Sequence, residues 1–250
     1  MIDRELRILF GKEWRQLVAS RSAIATGAIV PVMLLAVLPT VMGLVARAPS
    51  DHHHDPMPEG MQFGLFGELE GGLGHFPGAV LPMFVAVVGM VLPTMMATHL
   101  LITERERRTL ELLVALPVRI EQVMLAKLLA TLAAASAMSV PLLLADMIVL
   151  PWIGAASLDQ IVVLPVLLVA ALAFSTSAAL LMSLLAKDFR AANNLGGALL
   201  APTIIGTMML GMVLPGGVVR PLAIALVYAF LAAVVARHAL KTVTFERLLT

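Results

Sequence analysis

The fold is decided by an apolar run that passes directly into a charged one: VLPMFVAVVGMVLPTMMATHLLI at residues 80–102, then TERERRTLELLVALP at residues 103–117. The first run contains no Asp, Glu, Lys or Arg and is long enough to cross the ~30 Å hydrocarbon core of a bilayer as a helix. The second is rich in Glu and Arg, whose charges are costly to bury in lipid. The two runs together predict a membrane span that is followed by a segment exposed to water.

The rest of the chain repeats the apolar pattern. Hydrophobic residues make up 60% and charged residues 13% of the 250 residues, and the mean hydropathy is +0.97. Soluble proteins carry about 25% charged residues. Six apolar runs predict six membrane spans, at residues 23–45, 80–102, 128–149, 161–185, 195–214 and 221–236. The fold class is therefore an all-α integral membrane protein in a single domain, residues 1–250.

The ends of the spans predict the topology. The apolar run at residues 23–45 is too long for the core of a signal peptide, so a retained first span is favoured. The last span is short, and Arg220 and Arg237 are expected to snorkel from its ends. All Lys and Arg except Arg47 and Arg220 fall at the termini, at residues 103–127 or at residues 187–190. The positive-inside rule then places both termini and residues 103–127 in the cytoplasm.

The first 22 residues have the pattern of an amphipathic helix. Apolar residues recur at helical spacing at Ile2, Leu6, Leu9, Phe10, Trp14, Leu17 and Val18, with polar residues opposite them. This pattern predicts an interfacial helix in the headgroup region of the cytoplasmic leaflet. A plain basic anchor that fixes the topology is the alternative interpretation.

The charged segment 103–117 has the features of a separate helix between the second and third spans. Thr103 and Glu106 have the spacing of a capping box, which predicts a helix that begins at Thr103. Glu104 with Arg108, and Arg107 with Glu111, are opposite charges four residues apart, a spacing that favours ion pairs on a helix. Pro117 ends the segment. The apolar residues Leu110, Leu113 and Val114 form a patch by which this helix can dock on a partner.

Two other groups are candidate sites. The extracytoplasmic loop 48–78 contains His52, His53 and His54 between two aspartates, residue types that bind Zn²⁺ or Cu²⁺. Three consecutive His cannot all face one ion on a regular element, so a solvated loop without metal is the favoured interpretation. Asp146 is the one acidic residue inside a span and is a candidate for a transport pathway. Its place near the outer end of the third span favours snorkelling to the outer surface.

The residues 103–118, with Ile120 to Lys127 after them, resemble the permease subunits of ABC-2-type transporters. That family has a Glu, then Gly-Thr-Leu-Glu, then Leu-Leu, a Pro-Val pair and a Lys that opens the next span. Lys12-Glu13 before the first span and residues 187–191 after the fourth are also similar. Two features depart from the family: Arg108 stands where Gly is usual, and the link Pro215-Gly216-Gly217 is too short for the re-entrant outer helices of lipid and polysaccharide exporters.

The resemblance implies an ATP-driven exporter of the bacterial inner membrane. Two permease copies would form the translocation path, with ATP and Mg²⁺ bound by two copies of a separate ATPase. Residues 1–22 would be the connecting helix and residues 103–117 the coupling helix. The residues expected to contact the ATPase are Glu104, Arg105, Glu106, Arg107, Arg108, Leu110, Glu111, Leu113 and Pro117. Independently, the chain has no G-x-x-x-x-G-K-[ST] phosphate loop; its one Gly-Lys pair is Gly11-Lys12.

Three other functions remain open or are disfavoured. An ion- or proton-coupled secondary transporter would be centred on Asp146 and the glycines of the fifth span. A membrane partner of an ABC ATPase that carries no cargo is a second alternative. An intramembrane enzyme is disfavoured, because the chain has no H-E-x-x-H motif, no paired carboxylates within the spans and no Ser/His arrangement. Neither nucleic-acid binding nor cysteine chemistry is indicated, since no basic run contains aromatic residues and the chain has no Cys.

Overall fold

The computed structural model describes residues 4–46, 76–106, 120–154, 156–185 and 189–242. Within these ranges the chain is helical between short turns, with six helices long and apolar enough to cross a membrane. The all-α fold and the number of spans are therefore as predicted. The apolar windows of the six run at Gly27–Val45, Ala79–Met96, Leu125–Trp152, Leu158–Ala179, Asn194–Val213 and Val219–Ala239.

The first half of the fold begins with the amphipathic helix α1, Arg4–Ala19. The first span follows as α2, Arg21–Pro31, a π-helical stretch at Val32–Val37 and α3, Leu38–Ala46. Pro31 and Pro39 flank the π-helical stretch. Proline has no N–H to donate to the preceding turn, and in membrane helices the freed carbonyls are satisfied by local π adjustments of this kind. The span is therefore reshaped at its prolines without being interrupted.

The remaining spans are single long helices with short connections. The second and third spans are α4, Phe76–Glu106, and α5, Ile120–Trp152. A short helix α6, Leu158–Val162, leads into α7, Leu164–Leu185. The last two spans are α8, Phe189–Val213, and α9, Val219–Thr242. The prediction that the sixth span is short is wrong, because the apolar helix begins before Arg220 and continues past Arg237.

The core of the bundle is built around α4 and α7. The window of α4 is 78% buried and that of α7, with α6, is 61% buried, the two highest values among the spans. Close approach is possible because a Cβ at Gly89 would lie 2.6 Å from the Cβ of Ala171. Ala171, Ser175 and Ala179 form the buried small-residue stripe on α7. This stripe therefore serves packing within the bundle.

Hydroxyl groups add polar links to the same core. The carbonyl oxygen of Met90 on α4 accepts hydrogen bonds from Thr94 and from Ser175 of α7, and the two hydroxyl oxygens lie 2.8 Å apart. On the other side of α7, the ring of Phe174 packs against Tyr228 of α9 with centroids 5.6 Å apart. The Tyr228 hydroxyl is hydrogen-bonded to Thr207 of α8. These contacts order α4, α7, α8 and α9 relative to one another.

The link between the last two spans is as short as predicted. The chain turns between the end of α8 at Val213 and the start of α9 at Val219. Gly217 has a φ of +73°. That left-handed conformation is strained for residues with a Cβ, which accounts for a glycine at this point of the turn. The described chain has no helix between α8 and α9.

Candidate coupling site at the end of the bundle that carries α1

The candidate site lies where α4 ends and α5 begins. The apolar window of α4 stops at Met96, but the helix continues to Glu106. Its 31 residues extend ~46 Å, well beyond the ~30 Å of hydrocarbon in a bilayer. In the same way, α5 begins at Ile120 and its apolar window begins at Leu125. Both helices therefore extend past their apolar windows at the ends that residues 107–119 connect.

The predicted contact residues divide between the described and the undescribed parts of the chain. Glu104, Arg105 and Glu106 are the last residues of α4. Residues Arg107, Arg108, Leu110, Glu111, Leu113 and Pro117 lie outside the described ranges. The prediction that a helix begins at Thr103 is wrong, since Thr103 lies inside α4. A helix that is already formed adds residues at little cost, so it continues through a capping sequence where an isolated segment would begin.

The site also contains a buried ion pair between α1 and α5. The Lys127 Nζ atom lies 3.2 Å from Glu13 Oε2, and Glu13 is 1% and Lys127 4% exposed. Lys12 lies 3.5 Å from the other carboxylate oxygen, but its side chain is 52% exposed. The pair therefore joins α1 directly to the second turn of α5, close to the point where the chain leaves residues 107–119.

Sequence reasoning found these two residues only through the family resemblance and did not place them together. A signal for Glu13 was present in the pattern of α1. Glu13 lies three residues after Phe10 and four before Leu17, so it falls on the apolar face of the helix. A carboxylate on such a face requires a cationic partner. The same argument applies to Lys127 in the first turns of the third span, because a buried ammonium group requires an acidic partner.

An apolar cavity lies beside the ion pair, between α1 and the spans. Its volume is about 180 Å³. The side chains that line it come from α1, α2, α4 and α5: Trp14, Leu17, Val18, Ile24, Met96, Ala134, Ala137 and Met138. Apart from the indole of Trp14 the lining has no polar side chain. Beside this cavity, α1 is held to the bundle by the apolar contacts of Leu17, Phe10 and Trp14 as well as by the Glu13–Lys127 pair.

Of the three charged residues expected to snorkel, Arg237 is exposed, whereas Asp146 and Arg220 are buried, so the predictions for those two are wrong. Asp146 is 3% exposed, and its Oδ2 atom is buried with no hydrogen-bond partner. It continues the stripe on α5 formed by the buried residues Ser139 and Leu143. Arg220 is 1% exposed and donates hydrogen bonds to the carbonyls of Ala79 and Leu214, at 3.0 and 3.1 Å. Arg220 thus holds the start of α9 against the start of α4.

The candidate metal ligands lie outside the described residues. His52, His53 and His54 belong to residues 47–75, for which no structure is described. Among the residues that are described, no three His, Asp or Glu side chains come together in a way that can hold a metal ion.

The chain matches a known protein family. Residues 7–218 match the family model described as ABC-2 family transporter protein. The match starts within α1, includes the charged segment and ends just before α9. No curated protein and no solved structure shows a significant match to the chain. A multi-pass membrane protein with this match is a transport subunit, and the chain belongs to the ABC-2 family of transporter proteins.

Proposed function

We propose that this chain is the permease subunit of an ATP-driven exporter in a bacterial inner membrane. In this proposal both termini and residues 103–117 lie in the cytoplasm, and two permease copies bind two copies of a separate ATPase. The observation that carries the proposal is the extension of α4 and α5 beyond their apolar windows within a chain of the ABC-2 family. In this proposal the extensions reach beyond the hydrocarbon core, so that a soluble subunit can bind Glu104–Glu106 and the segment that follows them.

The test is to purify the tagged full-length chain from its native host after mild solubilisation and to identify the polypeptides bound to it. The proposal expects a soluble protein with the G-x-x-x-x-G-K-[ST] motif in amounts equal to this chain. A chain that purifies without any such protein under several detergents contradicts the proposal. A bound ATPase without ATP-driven flux of any cargo would favour the membrane partner that carries no cargo.

The fifth span offers the surface for a second permease copy. Its window is 17% buried, the lowest value among the six. Gly197 and Gly206 on α8 have open space where a side chain would extend, whereas Gly211 packs against Met83 of α4. Open glycines on a span permit the close approach of another helix, which drives association in lipid. Gly197 and Gly206 are nine residues apart and therefore lie on opposite sides of α8. We place the contact between the two copies on the side of Gly206, where Met209 is also exposed.

Cysteine cross-linking tests this contact without interference, because the chain has no native Cys. We expect Gly206→Cys to form a disulfide-linked dimer on oxidation in native membranes. Leu226→Cys is the matched control, since it lies on α9 and is 71% exposed. A dimer from the Leu226 variant and none from the Gly206 variant would place the interface elsewhere.

The burial of Asp146 is the observation that supports a secondary transporter as a second candidate function. A buried carboxylate oxygen without a hydrogen-bond partner is costly in an apolar surrounding, and such groups occur in proton and ion pathways. The described acidic residues near it do not form the chain of groups that a proton relay uses. Direct coupling to an ATPase therefore remains the better supported mechanism.

The substitution Asp146→Asn separates the two candidates. We expect the variant complex to hydrolyse ATP at the wild-type rate, because Asp146 lies on the opposite half of α5 from the coupling site. Asp159→Asn, an exposed acidic residue on α6, is the control. Liposomes that contain the permease alone should show no proton flux beyond that of empty liposomes. A proton flux that the wild-type chain supports and Asp146→Asn abolishes would favour the secondary transporter.

A further inference from the structure

The buried Glu13–Lys127 pair lies between the coupling site and the first span. Lys127 is in the second turn of α5, which follows directly on residues 107–119. Glu13 is in α1, whose last residue Ala19 is separated from the first span at Arg21 by Ser20 alone. A displacement of the start of α5 therefore reaches the first span through α1 only if α1 moves together with α5.

The burial of the pair makes it suited to fix the position of α1. Replacing a buried ion pair with apolar residues is often neutral or stabilising, so stability does not account for it. In the best-attested cases a buried polar group fixes a single register, and here sliding of α1 along α5 would separate two buried charges. Trp14 and Leu17 line the apolar cavity together with Ala134 and Ala137 of α5, so the apolar side of α1 has room to move.

We propose that Glu13 and Lys127 are positioning residues that lock α1 to α5 in one register, so that a displacement of the start of α5 is passed to the first span. This role deepens the proposed function and rests on it for its ATPase step. Lys12 is excluded from the lock because its side chain is half exposed and therefore remains hydrated when the carboxylate moves.

The lock is tested first on the full-length permease without any ATPase. Spin labels are attached at Arg15→Cys on α1 and Leu144→Cys on α5, both exposed, in a chain that has no other Cys. Pulsed electron paramagnetic resonance then measures the distribution of the distance between them in nanodiscs. We expect a narrow distribution for the wild-type pair and a broad one for Glu13→Gln and Lys127→Met. Lys12→Met is the matched control and should leave the distribution narrow.

Two double variants distinguish positioning from a purely structural role. Exchanging the charges, Glu13→Lys with Lys127→Glu, should restore a narrow distribution. The apolar pair Glu13→Leu with Lys127→Met should unfold at no lower temperature than the wild type and yet give a broad distribution. A narrow distribution for the apolar pair, or a broad one for a folded charge-exchanged pair, would overturn the proposal. If the single variants cannot be obtained as folded protein, the two double variants still test the proposal.

The second test uses the complex with its ATPase. The stimulation of ATP hydrolysis by the permease should fall about tenfold in the apolar pair, as typical coupling free energies allow, while the ATPase stays bound. The charge-exchanged pair should return the stimulation to the wild-type level. An apolar pair that stimulates as the wild type does would overturn the coupling role. If the wild-type chain binds no ATPase, the proposed function fails, and the distance distributions still decide whether the lock exists.

Discussion

Reversal of two charges at the end of α4, Glu104→Lys with Glu106→Lys, is expected to leave the permease inserted and folded but to abolish its coupling to the ATPase. Both residues follow the apolar window that ends at Met96, so neither contributes to membrane insertion. Across an interface, like charges placed opposite one another cost several kcal/mol. A cationic surface on the ATPase that accepts these carboxylates would therefore repel the variant.

The measurement has two parts. Membrane insertion is followed by protease protection, and assembly by the amount of ATPase that purifies with the tagged permease. The control is Arg7→Glu with Arg15→Glu, which reverses two exposed charges on α1. We expect loss of bound ATPase with the first pair of substitutions and its retention with the second. Unchanged assembly and unchanged ATP hydrolysis in the Glu104 and Glu106 variant would refute the assignment of the coupling helix.

The second large effect is expected at Gly89, where the two most buried spans meet. A Cβ at this position would lie 2.6 Å from the Cβ of Ala171, and 3.4 Å from backbone atoms of Leu168 and Leu172. None of these atoms can move aside as the end of a flexible side chain does, so α4 and α7 must separate. We expect Gly89→Val to destabilise the bundle by about 1–3 kcal/mol or more, the usual cost of overpacking a core.

Thermal unfolding in detergent, followed by size-exclusion chromatography, measures the effect at Gly89. Gly11→Val is the matched control, because Gly11 is also inside a helix but has no atom within 4 Å of its Cβ position. The two variants share the cost of a β-branched residue in a helix, so the difference between them reports packing. Equal unfolding temperatures for the two variants would contradict the packing of α4 against α7.

The sequence was sufficient to predict the elements that depend on length and hydropathy. A run of about 20 apolar residues has few alternatives to a membrane helix, because its backbone groups must be satisfied within the segment. The six spans follow from this constraint. The amphipathic α1 follows instead from the helical spacing of its apolar residues, and the short link before α9 from the distance between the last two apolar runs. The family resemblance also came from a local pattern, residues 103–118, and the family match confirms it.

What sequence could not provide is the direction in which a side chain points relative to the other helices. Asp146 and Arg220 stand near span ends, and position along a helix alone suggested that both reach water. In the structure both face neighbouring helices, and Arg220 finds carbonyls of Ala79 and Leu214 there. The same limitation concealed the Glu13–Lys127 pair, whose members are 114 positions apart in the chain. Such contacts are set by the packing of the bundle.

The start of the coupling helix was mispredicted for a different reason. The Thr103 and Glu106 pair has the spacing of a capping box, but a cap forms only where the N-cap residue itself has a non-helical backbone. Here Thr103 and the residues before it are already helical, and α4 continues to Glu106 without a break. Local capping chemistry therefore gave the wrong boundary for the start of the coupling helix.

The most direct test of the central claim is ATP hydrolysis by the complex that purifies through a tag on this chain, reconstituted in nanodiscs. The account predicts vanadate-sensitive hydrolysis that elutes together with the permease and is lost when Glu104 and Glu106 are reversed to Lys. A tagged permease that elutes with neither an ATPase polypeptide nor hydrolytic activity, although its six helices are folded, would contradict the account.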